Sequence, residues 1–505
     1  MFQAVAQAFA MVFEPYTIAV MLGASLFGLF VGAVPGLTAT MATALLVPVT
    51  FFMPPIPAIA AMVTATAMAI FSGDIPGCLL RIPGTPASAA YTDEAFAMTR
   101  KGEAELALGA GLVFSAVGGL FGTVALIVAA PALAEFALNF SSFEYFWLVL
   151  LGLTCAVLIT GDQPLKGVVT LLLGLLVACV GLGNPAGFPR FTFGNAEMTG
   201  GIGMIPMMIG MFAISEVIRY VVDTSPPAEV VVDKVGNVMR GQWALAKKYP
   251  VQILRGSTLG TAVGALPGAG ADIAAWMSYA MSKRFSKEPE KFGTGHVEGI
   301  VESGAANNSA LAGAWIPALV FGIPGDSITA IVIGVLYMKN MNPGPTLFTT
   351  NPQNIYAVFL LFIIANIIMV PLGLLCIKVA KRILRVPRNV LMPLILLFCI
   401  VGTFAINNTP FDVAVMLVAG VVAYVLEANR YPIAPAILGV VLGGMLEENF
   451  ITSMIKSEGD LSAFVGRPIA AGLAALTFLV WFALPLLRAL RSRRQAALRS
   501  SASPR

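Results

Sequence analysis

Apolar runs recur along the chain with little polar material between them. Leu106–Ala130, Tyr356–Val379 and Ala470–Leu487 each approach the ~20 residues that an α-helix needs to cross a bilayer. The pattern predicts an all-α polytopic membrane protein. One long polar stretch interrupts it, Asp223–Pro250, which carries Lys234, Arg240, Lys247 and Lys248 and reads as a cytoplasmic linker, since basic residues mark cytoplasmic loops. The segments "KVAKRILRVPR" (378–388) and "RALRSRRQAALRS" (488–500) are assigned to the same side. No Lys or Arg precedes Arg81, so the N-terminus is expected in the periplasm, uncleaved for want of a basic n-region, and the C-terminus in the cytoplasm.

Within the apolar runs the helix is broken, and the breaks repeat. "GAVPGLTATMATA" (32–44) matches "GALPGAGADIAAW" (264–276), and "RIPGTPAS" (81–88) matches "GIPGDSIT" (322–329). Weaker likenesses follow in the same order: "GDQPLKGVVTLLLGLLVA" (161–178) with "NNTPFDVAVMLVAGVVAY" (407–424), and "IPMMIGMF" (205–212) with "APAILGVV" (434–441). The shared order predicts two transmembrane repeats, residues 1–222 and 251–450, joined by the 223–250 linker. Residues 451–505 are left as an extra C-terminal transmembrane helix with a basic tail. If "KRFSKEPEK" (283–291) is cytoplasmic like the linker, the segment 251–282 starts and ends on one side, as a re-entrant hairpin with its tip at Pro267 and Gly268. Residues 16–52 then form the matching hairpin from the opposite face, with "MPPIP" (53–57) outside and "TRKGE" (99–103) inside. That is an inverted-topology repeat. The alternative, in which each break is the unwound middle of a single crossing, stays open at this point.

Composition sharpens the class. Of 505 residues, 58% are apolar and 11% charged, and the mean hydropathy is +0.87. Fifty glycines and 33 prolines exceed what a plain helix bundle needs, and broken backbone at membrane depth is tolerated where it lines a cavity. A net charge of +4, gathered at a few loops, implies no nucleic-acid partner. Cys78, Cys155, Cys179, Cys376 and Cys399 lie in apolar stretches without ligand spacing, and His296 is the single histidine; a histidine-based metal site is excluded. Phosphate-loop and HExxH motifs are absent. "GAGAD" lacks the spacing and the partner acid of an intramembrane aspartyl protease, so no enzyme and no organic cofactor are expected.

Candidate chemistry sits at the breaks. Proline ends one half-helix, glycine permits the reversal, and the next half-helix begins with free N–H groups and a partial positive charge suited to a carboxylate. The residues placed to bind such a substrate are Pro35, Gly36, Thr38, Thr40, Gly84, Thr85, Ser88, Gly268, Gly270, Gly325, Ser327 and Thr329, together with the paired amides Asn307 and Asn308. Asp272, Asp326 and Thr43 are the candidates for cation coupling, because an acid inside an apolar segment is costly and functional as a rule. Helix capping is the competing role for each Ser, Thr and Asp. Arg81 either meets a substrate carboxylate or reaches a headgroup or Asp74.

Taken in order, "GAVPGLTA", "RIPGTPASAA", "GALPGAGADIAAW", "KRFSKEPEKFGTG", "AANNSALAGAWIPALVFGIPGDSITA" and "NPGPTLF" resemble the large membrane subunit of the tripartite tricarboxylate transporters, the TctA family, over roughly residues 16–490. The resemblance implies a secondary transporter in the bacterial inner membrane that takes up carboxylates and is driven by Na+ or H+. It also implies a periplasmic solute-binding protein and a small membrane subunit as partners, and is compatible with a homo-oligomer. A membrane scaffold or sensor that keeps the fold is the alternative. One departure stands out: where the family often has a glutamate shortly before the paired asparagines, this chain has Gly304, with Glu302 two residues earlier. An acidic role is not carried over to Glu302.

Overall fold

The computed structural model describes residues 2–158, 164–183, 187–222, 236–384 and 388–482. Residues 223–235 of the linker, three residues of the 378–388 segment and the basic tail therefore lie outside the described residues. Among those described, helices take most positions, no strand forms, and a single bridge pairs Gly181 with Arg190. Among the described residues, eight helices are long and apolar enough to cross a bilayer. The chain is a multi-pass membrane protein.

Two helical hairpins organise it. The helix Pro250–Gly264 starts on a proline, where the missing N–H costs nothing, and lies along the long helix Val297–Phe321. Its Gly256, Gly260 and Gly264 form a smooth stripe at four-residue spacing; a Cβ there would sit 2.3, 2.3 and 2.2 Å from the carbonyl oxygens of Glu302, Ala306 and Ala310. Small residues thus let two backbones touch, the usual basis of helix association in lipid. The following helix, Gly270–Phe285, runs back beside the same partner. Glu298 accepts a hydrogen bond from Gln252 on the first leg (2.9 Å) and from Ser286 at the end of the second (2.6 Å). Glu302 is bonded twice by Arg255 on the first leg (2.6 and 2.5 Å), while its carbonyl takes the hydroxyl of Ser278 on the second (3.1 Å). Two legs at one level of a shared support make a hairpin, with Gly268 (φ 82°) in the tip where only glycine turns without strain. A single crossing with an unwound middle does not produce these contacts.

The first half repeats the arrangement. Pro15–Ala33 lies along Pro55–Ser72 through Gly28 and Gly32, where a Cβ would sit 2.2 and 2.3 Å from the carbonyl oxygens of Ala65 and Ala69. The chain turns at Gly36 (φ 89°), and Ala39–Phe51 returns beside the same support, with the Thr43 and Thr66 hydroxyls 3.1 Å apart. The legs are splayed around an apolar cavity of about 530 Å³ lined by Phe27 and Phe30 on one side and Leu45 and Val49 on the other.

The halves meet along the 34-residue helix Ala104–Ala137, whose Gly118 and Gly122 press on the backbone of Ala305 and Ser309. They are also fastened at one end. The buried Glu94 carboxylate accepts the backbone N–H groups of Gly293, Gly295 (2.7 Å) and His296 (2.8 Å) and the hydroxyl of Tyr279 (2.7 Å). His296 is therefore a helix-start residue with its N–H committed to a carboxylate. Next to this fastening the end of the linker packs down, Gly236 donating to Glu105 (2.7 Å) and Gln242 to the carbonyl of Leu106 (3.3 Å). Residues 99–103, the linker end and the loop after 283–291 thus share one face. Glu94→Ala strands four donors at about 1–3 kcal/mol each. A marked fall in the melting temperature of the detergent-solubilised protein is expected, with Glu94→Gln intermediate; unchanged melting of the alanine variant would show that the fastening is dispensable.

Candidate functional site

The second pair of breaks is built like the first pair, from matching parts. The helix unit Pro55–Leu80 ends at Arg81 (φ 60°) and Val297–Phe321 ends at Gly322 (φ 68°). Each stop is closed by a bond that reaches back six residues, Ile82 N–H to the Pro76 carbonyl (3.4 Å) and Ile323 N–H to that of Pro317 (3.3 Å). The glycines that follow touch the hairpins: a Cβ on Gly84 would lie 2.7 Å from the Gly32 oxygen, and on Gly325 2.5 Å from the Gly264 oxygen. Both therefore seat a loop on a hairpin leg. Each loop then closes in a reciprocal cap. Thr85 N–H donates to Ser88 Oγ and Ser88 N–H to Thr85 Oγ1, both at 3.1 Å; Asp326 N–H donates to Thr329 Oγ1 (2.9 Å) and Thr329 N–H to Asp326 Oδ1 (2.7 Å).

These loops and the two hairpin tips surround one cavity of about 450 Å³. From the first half Thr38, Thr40 and Thr85 line it, and from the second Gly268, Gly270, Asp272, Asn307, Asp326 and Ser327. Three helices begin at its wall, Ala39–Phe51, Gly270–Phe285 and Ser327–Met338, so their partial positive ends and the first-turn N–H groups that no cap takes converge. Asp272 is exposed to this space, and Asp326 stands near enough for the two charges to interact; a Cβ on Gly270 would meet that of Asp326 at 2.6 Å. The site thus combines helix ends of partial positive charge with two carboxylates.

The structure places the remaining expected residues around the cavity without making them part of its wall. Pro35 and Gly36 form the turn of the first tip, while Ser88 and Thr329 spend their hydroxyls on the caps. Thr43 is buried against Ala39 and Thr66. The amide of Asn308 points to the carbonyl of Ala67 (3.5 Å) and to Met369 Sδ (3.4 Å). Arg81 lies outside: it is exposed and pairs with Asp93 at 2.9 Å, not with Asp74. Glu302 is held by Arg255 in the hairpin support and does not reach the cavity.

Two features escaped the sequence reading. Glu216, Arg219 and Glu427 form part of one wall, with Arg219 bonded to Glu427 and 3.5 Å from Glu216; Glu216 and Arg219 at i and i+3 near the end of an apolar span were the available signal. Behind Asn307, Tyr91 donates to the buried Asp74 (2.6 Å). No local pattern connects residues so far apart in the chain.

The fold and the cavity define a helical membrane protein with a polar site enclosed by broken helices, the class to which secondary transporters belong. The chain is a member of the tripartite tricarboxylate transporter TctA family, which residues 18–438 match. It is 35% identical to an uncharacterised 52.8 kDa protein in the TAR-I ttuC' 3'region of Agrobacterium vitis, over 93% of each chain. A second protein of that organism, from the TAR-II ttuC' 3'region, is 39% identical over 46% of this chain and 97% of its own length. No solved structure matches the chain.

Proposed function

We propose that the cavity binds the carboxylate groups of an organic acid and that the chain carries it across the bacterial inner membrane by alternating access, driven by Na+ or H+. The observation that carries this reading is the convergence of all four glycine-rich breaks on one space, with three helix N-termini and hydroxyl groups facing it. A scaffold has no need of four such breaks. Thr38, Thr40, Thr85, Gly268, Gly270, Asn307 and Ser327 supply donors to the anion; Asp272 and Asp326 hold the cation that makes the loaded site electrically acceptable. A periplasmic solute-binding protein delivers the substrate and a small membrane subunit completes the transporter, as the family's name implies.

The halves are proposed to be inverted repeats. Supporting this, Pro55–Leu80 starts beside the base of its hairpin and ends near residues 99–103, where Cys78 meets Thr99 at 3.0 Å. Val297–Phe321 starts on that same face and runs the other way. The basic residues there support a cytoplasmic location for this face and a periplasmic N-terminus.

Uptake of labelled mono-, di- and tricarboxylates by reconstituted transporter tests the reading, and transport of none of them refutes it. Among variants, Arg81→Ala should change uptake little, since an exposed ion pair contributes about 0–1 kcal/mol. Thr85→Val combined with Ser327→Ala removes two cavity hydroxyls at about 1 kcal/mol each and should weaken apparent affinity roughly tenfold or more. The reverse ranking at matched expression would move the anion site to Arg81.

A further inference from the structure

A chain of three buried side chains leads away from the cavity. Asp74 begins the short helix Asp74–Leu80 and is 6% exposed; Tyr91 is 2% exposed and Asn307 not at all. The Tyr91 hydroxyl is 2.6 Å from Asp74 Oδ1, and Asn307 Nδ2 is 3.2 Å from the same hydroxyl. The two outer ends are unpartnered: neither Asp74 Oδ2 nor Asn307 Oδ1 has a hydrogen bond, and Asn307 lies in the cavity wall.

No cation among the described residues pairs with Asp74. The titratable groups beside it are Tyr91 and, on its own helix, Cys78. Every other charge on the helices packed around it is engaged or directed elsewhere. Asp93 pairs with Arg81, Glu94 takes the 293–296 backbone, and Arg100 and Glu135 are exposed. Glu105 bonds Gly236, Glu298 bonds Gln252 and Ser286, and Glu302 is held by Arg255. From Ala104–Ala137 it is Gly111 that faces it, where a Cβ would come 2.9 Å from Oδ2. A carboxylate buried without a countercharge in a membrane protein is expensive, and a proton removes that cost.

We propose that Asp74 is a proton-binding site whose state sets, through Tyr91, which group Asn307 presents to the carboxylate in the cavity. The direction of the chain follows from donor and acceptor counts. With Asp74 ionised, it can only accept, so the Tyr91 O–H points to it, the Asn307 NH₂ points to Tyr91, and the Asn307 carbonyl faces the cavity. With a proton from water on Asp74, the acid O–H donates to Tyr91, the Tyr91 O–H turns to the Asn307 carbonyl, and the amide rotates its NH₂ toward the cavity. One proton is bound, no other covalent bond changes, and an acceptor that repels an anion becomes a donor that binds it. This device rests on the carboxylate reading of the cavity.

The test uses the purified full-length chain, with labelled citrate as probe. In pH-difference infrared spectra, acidification should raise a protonated-carboxyl C=O band that disappears in Asp74→Asn, persists in Asp74→Glu and shifts in Tyr91→Phe. An identical band in Asp74→Asn overturns the proposal. Citrate affinity in the wild type should rise about tenfold per pH unit on acidification while Asp74 is ionised, as linkage to one proton requires. In Asp74→Asn, whose amide can donate permanently to Tyr91, affinity should stay high at every pH; an unaltered pH dependence in that variant also overturns it. Failure of the wild type to bind citrate at any pH counts against citrate as a ligand of the cavity, and the infrared comparison then decides the proton site independently.

Discussion

Gly264→Val is expected to leave little folded protein. The Cβ would stand 2.2 Å from the Ala310 carbonyl oxygen and 2.8 Å from its Cα, and both are backbone atoms in the middle of a buried helix, so neither can yield. Gly325 is wedged against both the Gly264 carbonyl and Ala314 of the same support helix, so the close packing continues at the hairpin tip. Overpacking usually costs about 1–3 kcal/mol where side chains can adjust; here the leg must leave its support and take one edge of the cavity with it. Gly264→Ala carries the same Cβ and should lower the melting temperature measurably. Gly23→Ala, in a helix where nothing lies within 4 Å of the added carbon, should melt like the wild type. Equal behaviour of the two alanine variants in size-exclusion chromatography and thermal melts would mean that the hairpin is not seated as described.

The second large effect concerns energy coupling. Asp272 replaces, in the second break, the threonine that stands at position 40 in the first, so two like backbone turns face one cavity and only one bears a carboxylate. An anion entering beside Asp272 and Asp326 is repelled unless a cation is present, and that difference is a coupling free energy, typically about 1–3 kcal/mol. Asp272→Asn keeps the shape and the hydrogen-bonding capacity while removing the charge. Expression should be normal, and the dependence of uptake on Na+ or H+ concentration should flatten. An unchanged ion-concentration curve would return Asp272 to the role of a first-turn acid that merely favours its helix.

Much of this architecture was legible because lipid leaves few options. Apolar runs near bilayer length must be helices, and Pro-Gly pairs inside them, met twice in the same order, mark the breaks. The equivalence extends further than the breaks themselves: Ile75-Pro76 and Ile316-Pro317 stand at matching distances before Arg81 and Gly322, and these prolines supply the carbonyls that close both helix ends. Which oxygen faces the cavity was not legible. Thr85 and Ser88, or Asp326 and Thr329, are three residues apart, and in each pair both side chains enter a reciprocal cap that is seated on the hairpin packed against it. Arg81 illustrates the same limit, since its nearest acid in sequence, Asp74, belongs to the buried side of the helix and Asp93 to the surface. The Arg219–Glu427 pair and the Asp74–Tyr91–Asn307 chain join distant segments, so only the tertiary fold brings them together.

Under the proposed function, breaks from both halves form one carboxylate site. On a cysteine-free background, Thr40→Cys and Ser327→Cys place a thiol in the wall from each half, with Ser501→Cys as a remote control. The rate at which a small charged thiosulfonate labels each thiol, measured with and without a panel of mono-, di- and tricarboxylates, tests it most directly. The same acid should slow labelling at positions 40 and 327 together and leave position 501 untouched. Protection at one wall position by an acid that leaves the other fully reactive, or protection at neither by any acid in the panel, would contradict it.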